Sequence, residues 1–205
     1  MTDPSDRLTA QIRFLTELDK LKSVGRQTWL LDGSRLENDA EHSWHVATMA
    51  LVLGEHAAEP GVDMGRVVRM LLVHDLVEID AGDTYLYDEA AMADKADREQ
   101  AAADRIFALL PAEQGEALRA LWEEYEAGET PEARFAASLD RLQPLLHNVL
   151  TEGRAWLEHG IHADQVLERV CSIADGSPLL WAYAQSLIDE AVERGYLLPP
   201  RYGGP

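Results

Sequence analysis

The chain has 205 residues, 46% of them hydrophobic and 7% aromatic, which suits a folded globular protein with a full core. Its 37 acidic residues against 18 scattered basic ones give a formal net charge of −19, and such a surface repels polyanions, so a nucleic-acid polymer is not an expected partner. One cysteine, Cys171, excludes an internal disulfide, "VATMALVLG" is too short to cross a bilayer, and the polar start "MTDPSDRL" carries no signal-peptide core, so a cytoplasmic protein without a membrane partner is expected.

Helix signals dominate from the start. Ser5 is expected to cap a first helix that runs to about Val24 and stops at Gly25. Residues 26–39, "RQTWLLDGSRLEND", lack a sustained period and read as a loop. Asp39 is the expected cap of a second helix ending before Pro60, and Asp63 of a third reaching about Ile79, with Gly82 beyond it. A loop over 82–91 precedes a charged fourth helix from about Ala93 to Leu110. Pro111 opens a fifth that ends near Gly128, and Thr130–Pro131 is a cap-and-first-residue pair for a sixth. That sixth helix carries Phe135, Leu139, Leu142 and Leu146 at helical spacing, and Pro144 is expected to kink it. Two further helices follow at roughly 162–174 and 178–194, the second capped by Ser177 and stopped by Gly195, before a loosely held tail "PPRYGGP". Strand-like alternation, repeats and linkers are absent from the sequence, which predicts one all-α domain over 1–205 with about seven to nine helices.

Charged groups interrupt this apolar pattern in one place above all. "RMLLVHDLVEIDAGD", residues 69–83, sets His74, Asp75, Glu78, Asp80 and Asp83 against a greasy helix, where unpartnered charge is costly. His and Asp together offer nitrogen and oxygen ligands suited to Mn²⁺, Co²⁺, Fe²⁺, Zn²⁺ or Ni²⁺. Two ligands do not close a site, and His42, early in the second helix, and Asp140, inside the apolar sixth, are the candidates to complete it.

Other residues read more plainly. Asp80 is a solvated helix-end carboxylate, and His45 is expected beside the site or at the surface rather than as a fifth ligand. His56, His159 and His162 are expected at the surface, and His147, beyond the bend at Pro144, is left out of the site. Trp122 and Tyr125 are expected to pack. Arg35 either contacts phosphate or braces its loop.

The order His…His-Asp…Asp resembles that of the HD-domain metal-dependent phosphohydrolases. The series in "LKSVGRQTWLLDGSRLENDAEHSWHVA", "LLVHDLVEIDAGD" and "LWEEYEAGETPEARFAASLDRL" is similar to their 5′-deoxynucleotidase branch, over about residues 8–150. The resemblance implies a helical HD-domain bundle and one divalent ion (Mn, Co, Fe, Zn, Ni or Mg) held by His42, His74, Asp75 and Asp140. It implies catalytic roles for Glu78, with Asp83 in support, and places Arg26 and Trp29 near the substrate's phosphate and sugar. It further implies a small phosphate-ester substrate, a deoxynucleoside 5′-monophosphate first, with nucleoside triphosphates, cyclic nucleotides or a non-catalytic binding module as alternatives. A homodimer is the expected assembly. The helices at 154–198 fit the pattern poorly and are expected to pack on the core or serve an oligomer interface.

Overall fold

A computed structural model describes residues 4–201, apart from the side chains at positions 89 and 90. Its architecture is all-α. Among the described residues the longer helices are α1 (Pro4–Glu17), α2 (Asp39–Leu53), α3 (Met64–Val73), α6 (Lys95–Phe107), α7 (Ala112–Ala127), α8 (Pro131–Leu150), α9 (Arg154–His159), α10 (Ala163–Val170) and α12 (Pro178–Glu193). Single turns α4 (Glu78–Ala81), α5 (Glu89–Met92) and α11 (Ile173–Gly176) fill the joints. No helix among the described residues is long and apolar enough to cross a membrane.

Local capping chemistry sets several boundaries where the sequence places them. Asp63 accepts from the Arg66 N–H, Thr130 from Ala133 ahead of Pro131, and Ser177 from Leu180 ahead of Pro178. Gly128 ends α7 in the left-handed conformation, at φ 63°.

Four expectations need correction. Ser5 lies inside α1, which already includes Pro4. The supposed loop after Gly25 holds two short antiparallel strands, β1 (Gly25–Trp29) and β2 (Leu36–Asn38), tightened by the Leu30 N–H donating to the Arg35 carbonyl at 3.0 Å. The third helix does not run to Ile79: it tightens into a 3-10 turn over His74–Val77 before α4. The tail is tied down as far as it is described, for Arg201 bonds Asp164 through its backbone N–H and Nε, at 3.1 and 2.9 Å. Residues 202–205 of that tail lie outside the described residues.

Two apolar clusters support the site from below. One joins α2, α3, α8 and the C-terminal helices through Val46, Met70, Phe135, Leu139, Trp156, Val166 and Ile188. The other places Phe14, Val77, Ile106, Phe107 and Trp122 under the 3-10 turn. α8 is the central strut, and α11 packs closely against it at Gly176, where any Cβ would collide with Ser138 and the Arg134 carbonyl. The segment after residue 153 therefore closes the main core.

Candidate metal centre

α2 delivers the first ligand because its start is fixed. Asn38, not Asp39 as expected, is the cap: its Oδ1 accepts the Glu41 N–H at 3.0 Å, and Glu41 returns the bond to the Asn38 N–H at 3.3 Å. This capping box turns His42 inward, where it has no solvent exposure. Asp39, released from capping, is buried as well. The 3-10 turn supplies His74 and Asp75, 4% and 7% exposed, and α8 supplies Asp140 from a face otherwise made of Phe135, Leu139 and Leu142.

These four side chains meet. His42 Nε2 lies 2.8 Å from Asp140 Oδ1 and 3.9 Å from Asp75 Oδ2; His74 Nε2 lies 3.2 Å from Asp75 Oδ1 and 3.5 Å from Asp140 Oδ1. The tautomers follow from the other ring nitrogens. His74 Nδ1 donates to the Leu71 carbonyl at 2.9 Å, and His42 Nδ1 donates to Gln143 Oε1 at 3.1 Å. Both Nε2 atoms thus turn lone pairs toward carboxylate oxygens, and the His74 Nε2 is buried without a hydrogen-bond partner. Lone pairs facing lone pairs at these distances call for a cation between them. Ligand bonds of about 2.0–2.2 Å from one divalent ion span such separations. The same pull acts on protons. Burial opposes the charge on His74, yet Asp75 and Asp140 lift its pKa to about 9. Burial would raise Asp140, but the two histidines hold it well below the usual carboxylate range.

Beside this cluster sits a carboxyl group whose surroundings disfavour its charged form. Glu78 is 6% exposed and hydrogen-bonded to Asp39; burial first, then Asp75 and Asp39, push its pKa well above the ordinary value. Asp39, Asp75 and Glu78 bring their oxygens within 4.8 Å of one another, a second grouping around the shared Asp75. Burial also lifts Asp83 to about 6, with Arg26 pulling the other way. Arg26, from β1, faces the carboxylates: its Nη1 is 3.1 Å from Asp39, 3.3 Å from Asp75 and 3.6 Å from Asp83.

Trp29 is not brought to this group. Its ring lies under the Arg154 guanidinium, 3.2 Å from the ring centroid, and its Nε1 donates to Glu158 at 3.2 Å. Trp29 fastens β1 to α9 through these contacts, and its carbonyl accepts from His147 Nδ1 at 3.0 Å.

Three more participants were not assigned from sequence. Tyr125, expected to pack, donates its hydroxyl to Asp140 Oδ2 at 2.9 Å. Gln143 is fully buried, and its amide nitrogen lies 2.8 Å from Glu37 Oε1, 3.0 Å from His147 Nε2 and 3.3 Å from His45 Nδ1. That end of the amide must donate, so its oxygen faces His42 and sets that tautomer. Asp39 is the third. The spacing of Asp140, Gln143 and His147 at i, i+3 and i+7 on an apolar helix is the signal that links Gln143 and His147 to the ligand Asp140. Of the remaining residues, Arg35 braces its loop by gripping Glu41, Asp80 pairs with Arg105, and Trp122 packs in the core. His56 is half-buried rather than at the surface.

A cavity of about 300 Å³ opens on the cluster, lined at one end by Arg26, His74, Asp75, Glu78, Asp83 and Asp140. Tyr85, Tyr87, Leu145 and Trp156 are among the residues along the rest of its wall. Charged groups that converge beside tyrosine and tryptophan side chains in a hollow of this size suit a small, polar molecule.

Comparison with known proteins fixes the family. A family model described as "HD domain" matches residues 18–181. The chain belongs to the HD domain family. Among curated relatives, this HD-domain chain is 34% identical over 136 residues to the human "5′-deoxynucleotidase HDDC2", covering 66% of the chain and 65% of that protein. It is 26% identical over 137 residues to the "5′-deoxynucleotidase hdd1" of Schizosaccharomyces pombe. The HD-domain chain thus spans just under two thirds of the length of the human relative. Among solved structures, it superposes with a TM-score of 0.92 and 57% identity on a "Predicted metal-dependent phosphohydrolase" from Magnetospirillum magnetotacticum MS-1, over 97% of this chain and 99% of that one. A conserved hypothetical protein from Pyrococcus furiosus, at 21% identity and a TM-score of 0.60, shares the fold.

Proposed function

We propose that this chain is a metal-dependent phosphohydrolase that removes the phosphate from deoxynucleoside 5′-monophosphates. The observation that carries the reading is the meeting of His42, His74, Asp75 and Asp140, with lone pairs turned inward, at a cavity that Glu78 also lines. The names of the curated relatives supply the substrate class, and that of the Magnetospirillum structure agrees with the reaction class.

His42, His74, Asp75 and Asp140 would hold one divalent ion, which supplies charge neutralisation at the phosphate and a more acidic water. The chain's own residues do the rest. Arg26 keeps Asp39, Asp75 and Asp83 in place by facing all three. Glu78, sharing a proton with Asp39, stands as the donor to the departing 5′-oxygen. Tyr125 and Gln143 hold Asp140 and His42 in orientation. The aromatic wall of Tyr85, Tyr87 and Trp156 offers room beyond the phosphate for sugar and base. A homodimer belongs to the same reading, supported by the exposed Trp44, Leu51 and Val52 on α2.

Phosphate release from a panel of nucleotides, with Mn²⁺, Co²⁺, Mg²⁺ and Zn²⁺ in turn, tests it. Deoxynucleoside monophosphates should be cleaved well ahead of their ribose counterparts. The Glu78→Gln variant should keep its metal and lose roughly 10²–10⁴ in rate. No release from any nucleotide with any of these metals would refute the assignment.

A further inference from the structure

Three cationic side chains line the cavity: Arg26, Lys95 and Arg141. Arg26 faces Asp39, Asp75 and Asp83 at the metal centre, at 3.1–3.6 Å from one nitrogen. Lys95 pairs with Glu99 at 3.1 Å, one turn along α6. Arg141 differs. The carboxylate beside it, Asp140 Oδ2, lies 3.7 Å away, beyond hydrogen-bond distance, and its guanidinium donates no hydrogen bond to another described residue. Burial weighs against its charge, so the 37% of its side chain that stays open faces the enclosed cavity and not bulk water.

The guanidinium stands between the two ends of the cavity. Its charge bears on Asp140 and Tyr125 beside the metal centre, and on Tyr87 in the aromatic wall. That wall is anchored, since Tyr87 is hydrogen-bonded to Trp156, which is only 1% exposed and belongs to the main core. Leu145, Val166 and Val170 line the cavity too, and aromatic and branched apolar side chains suit a flat ring. A nucleotide whose phosphate sits at the metal centre has its base toward this wall, within reach of an arginine with no hydrogen bond to give up. A planar guanidinium fork donates two parallel N–H bonds to two neighbouring acceptors. On the base edge away from the sugar, guanine presents such a pair, O6 and N7. Adenine sets an amino donor beside N7 there, cytosine shows an amino group and thymine a methyl beside O4.

We propose that Arg141 is a specificity-determining residue that reads the O6 and N7 acceptors of guanine, which makes deoxyguanosine 5′-monophosphate the favoured substrate and leaves the phosphate to the ion and Arg26. This deepens the phosphohydrolase reading and rests on it for turnover, but it can also be tested by binding alone. With Mn²⁺-loaded protein, kcat/KM for dGMP should exceed that for dAMP about 10- to 100-fold, the weight of a bidentate base contact. 7-Deaza-dGMP, which lacks N7, should fall toward dAMP. In Arg141→Met the two purines should draw level through a rise in KM for dGMP at unchanged kcat. Deoxyguanosine, titrated calorimetrically without any phosphate, should bind the parent and lose a similar factor in the variant. A parent that treats dGMP, 7-deaza-dGMP and dAMP alike would overturn the proposal, and that arm needs no variant to fold. An equal loss in Arg141→Met on 2-deoxyribose 5-phosphate, which has no base, would overturn it too, by giving Arg141 a part in phosphate binding or in the fold. If deoxyguanosine binding depends on Arg141 while no nucleotide is hydrolysed, the base contact stands and the nucleotidase reading falls.

Discussion

Two clusters in this molecule contain the same kinds of side chain and differ in what lies between them. His42, His74 and Asp75 form one; Glu37, His45 and His147 form the other, and in each the ligand atoms lie within 4.8 Å of one another. In the second, the Gln143 amide nitrogen already donates into the group, at 2.8 Å to Glu37 and 3.0 Å to His147. His147 keeps its Nδ1 proton on the Trp29 carbonyl, so its Nε2 is the acceptor that the amide requires. In the first, both histidine Nδ1 protons are spent on oxygens outside the group, so each neutral ring turns its Nε2 lone pair inward. Ligand chemistry alone therefore does not mark a metal centre. What marks it is a buried set of acceptors with no donor at its middle. Gln143 belongs to both clusters: one end of its amide fills the second, and the other end prepares His42 for the first.

The comparison breaks most sharply at the histidines. His74→Ala should abolish tight binding of a divalent ion and bring phosphate release to background, whereas His147→Ala should leave stoichiometric metal binding intact. Metal titration by calorimetry with paired activity assays reads both, and equal losses in the two variants would erase the distinction. A smaller effect is expected at the shared residue. Gln143→Leu frees the tautomer of His42 and strips the donor from Glu37, and metal affinity should weaken about 10- to 100-fold, the usual cost of losing a ligand's supporting partner. An unaltered affinity in that variant would separate the clusters altogether.

The smallest effect concerns pH. Burial raises the Glu37 pKa to about 7, with Arg26 and Gln143 working against it. In the unfolded chain a glutamate titrates near 4.3. Between these values the folded state binds the extra proton, so this group's contribution to stability is fully present below about pH 4 and is lost as pH rises through 7. Glu37→Gln should flatten that part of the stability-versus-pH curve in denaturant melts from pH 5 to 8. A slope equal to the parent's would place the Glu37 titration elsewhere.

The sequence made some of this legible and hid the rest for physical reasons. Caps at Asp63, Thr130 and Ser177 could be read because the bond each makes is to a residue three positions on. The ligands drew notice because isolated His and Asp residues on apolar helices need an explanation. β1 and β2 were missed because five- and three-residue strands carry almost no period, and their pairing brings Arg26 to the site. The break of α3 into a 3-10 turn at His74 was equally silent, since "LLVHDLVEI" carries no glycine or proline that would mark a change of helix type. Asp39 was read as a cap because cap residues are interchangeable on paper; Asn38 took the role, and Asp39 went to Glu78. Gln143, His147 and Tyr125 acquire their roles from partners up to 118 positions away in the chain, which no local pattern contains. The poor fit after residue 153 hid a structural part: Trp156 and Val166 close the main core and reach the cavity wall.

Anomalous diffraction from crystals grown with Mn²⁺ tests the contrast between the two clusters most directly. The account predicts a peak bonded to His42, His74, Asp75 and Asp140, and none among Glu37, His45 and His147. A peak at the second cluster with the first one bare would contradict it.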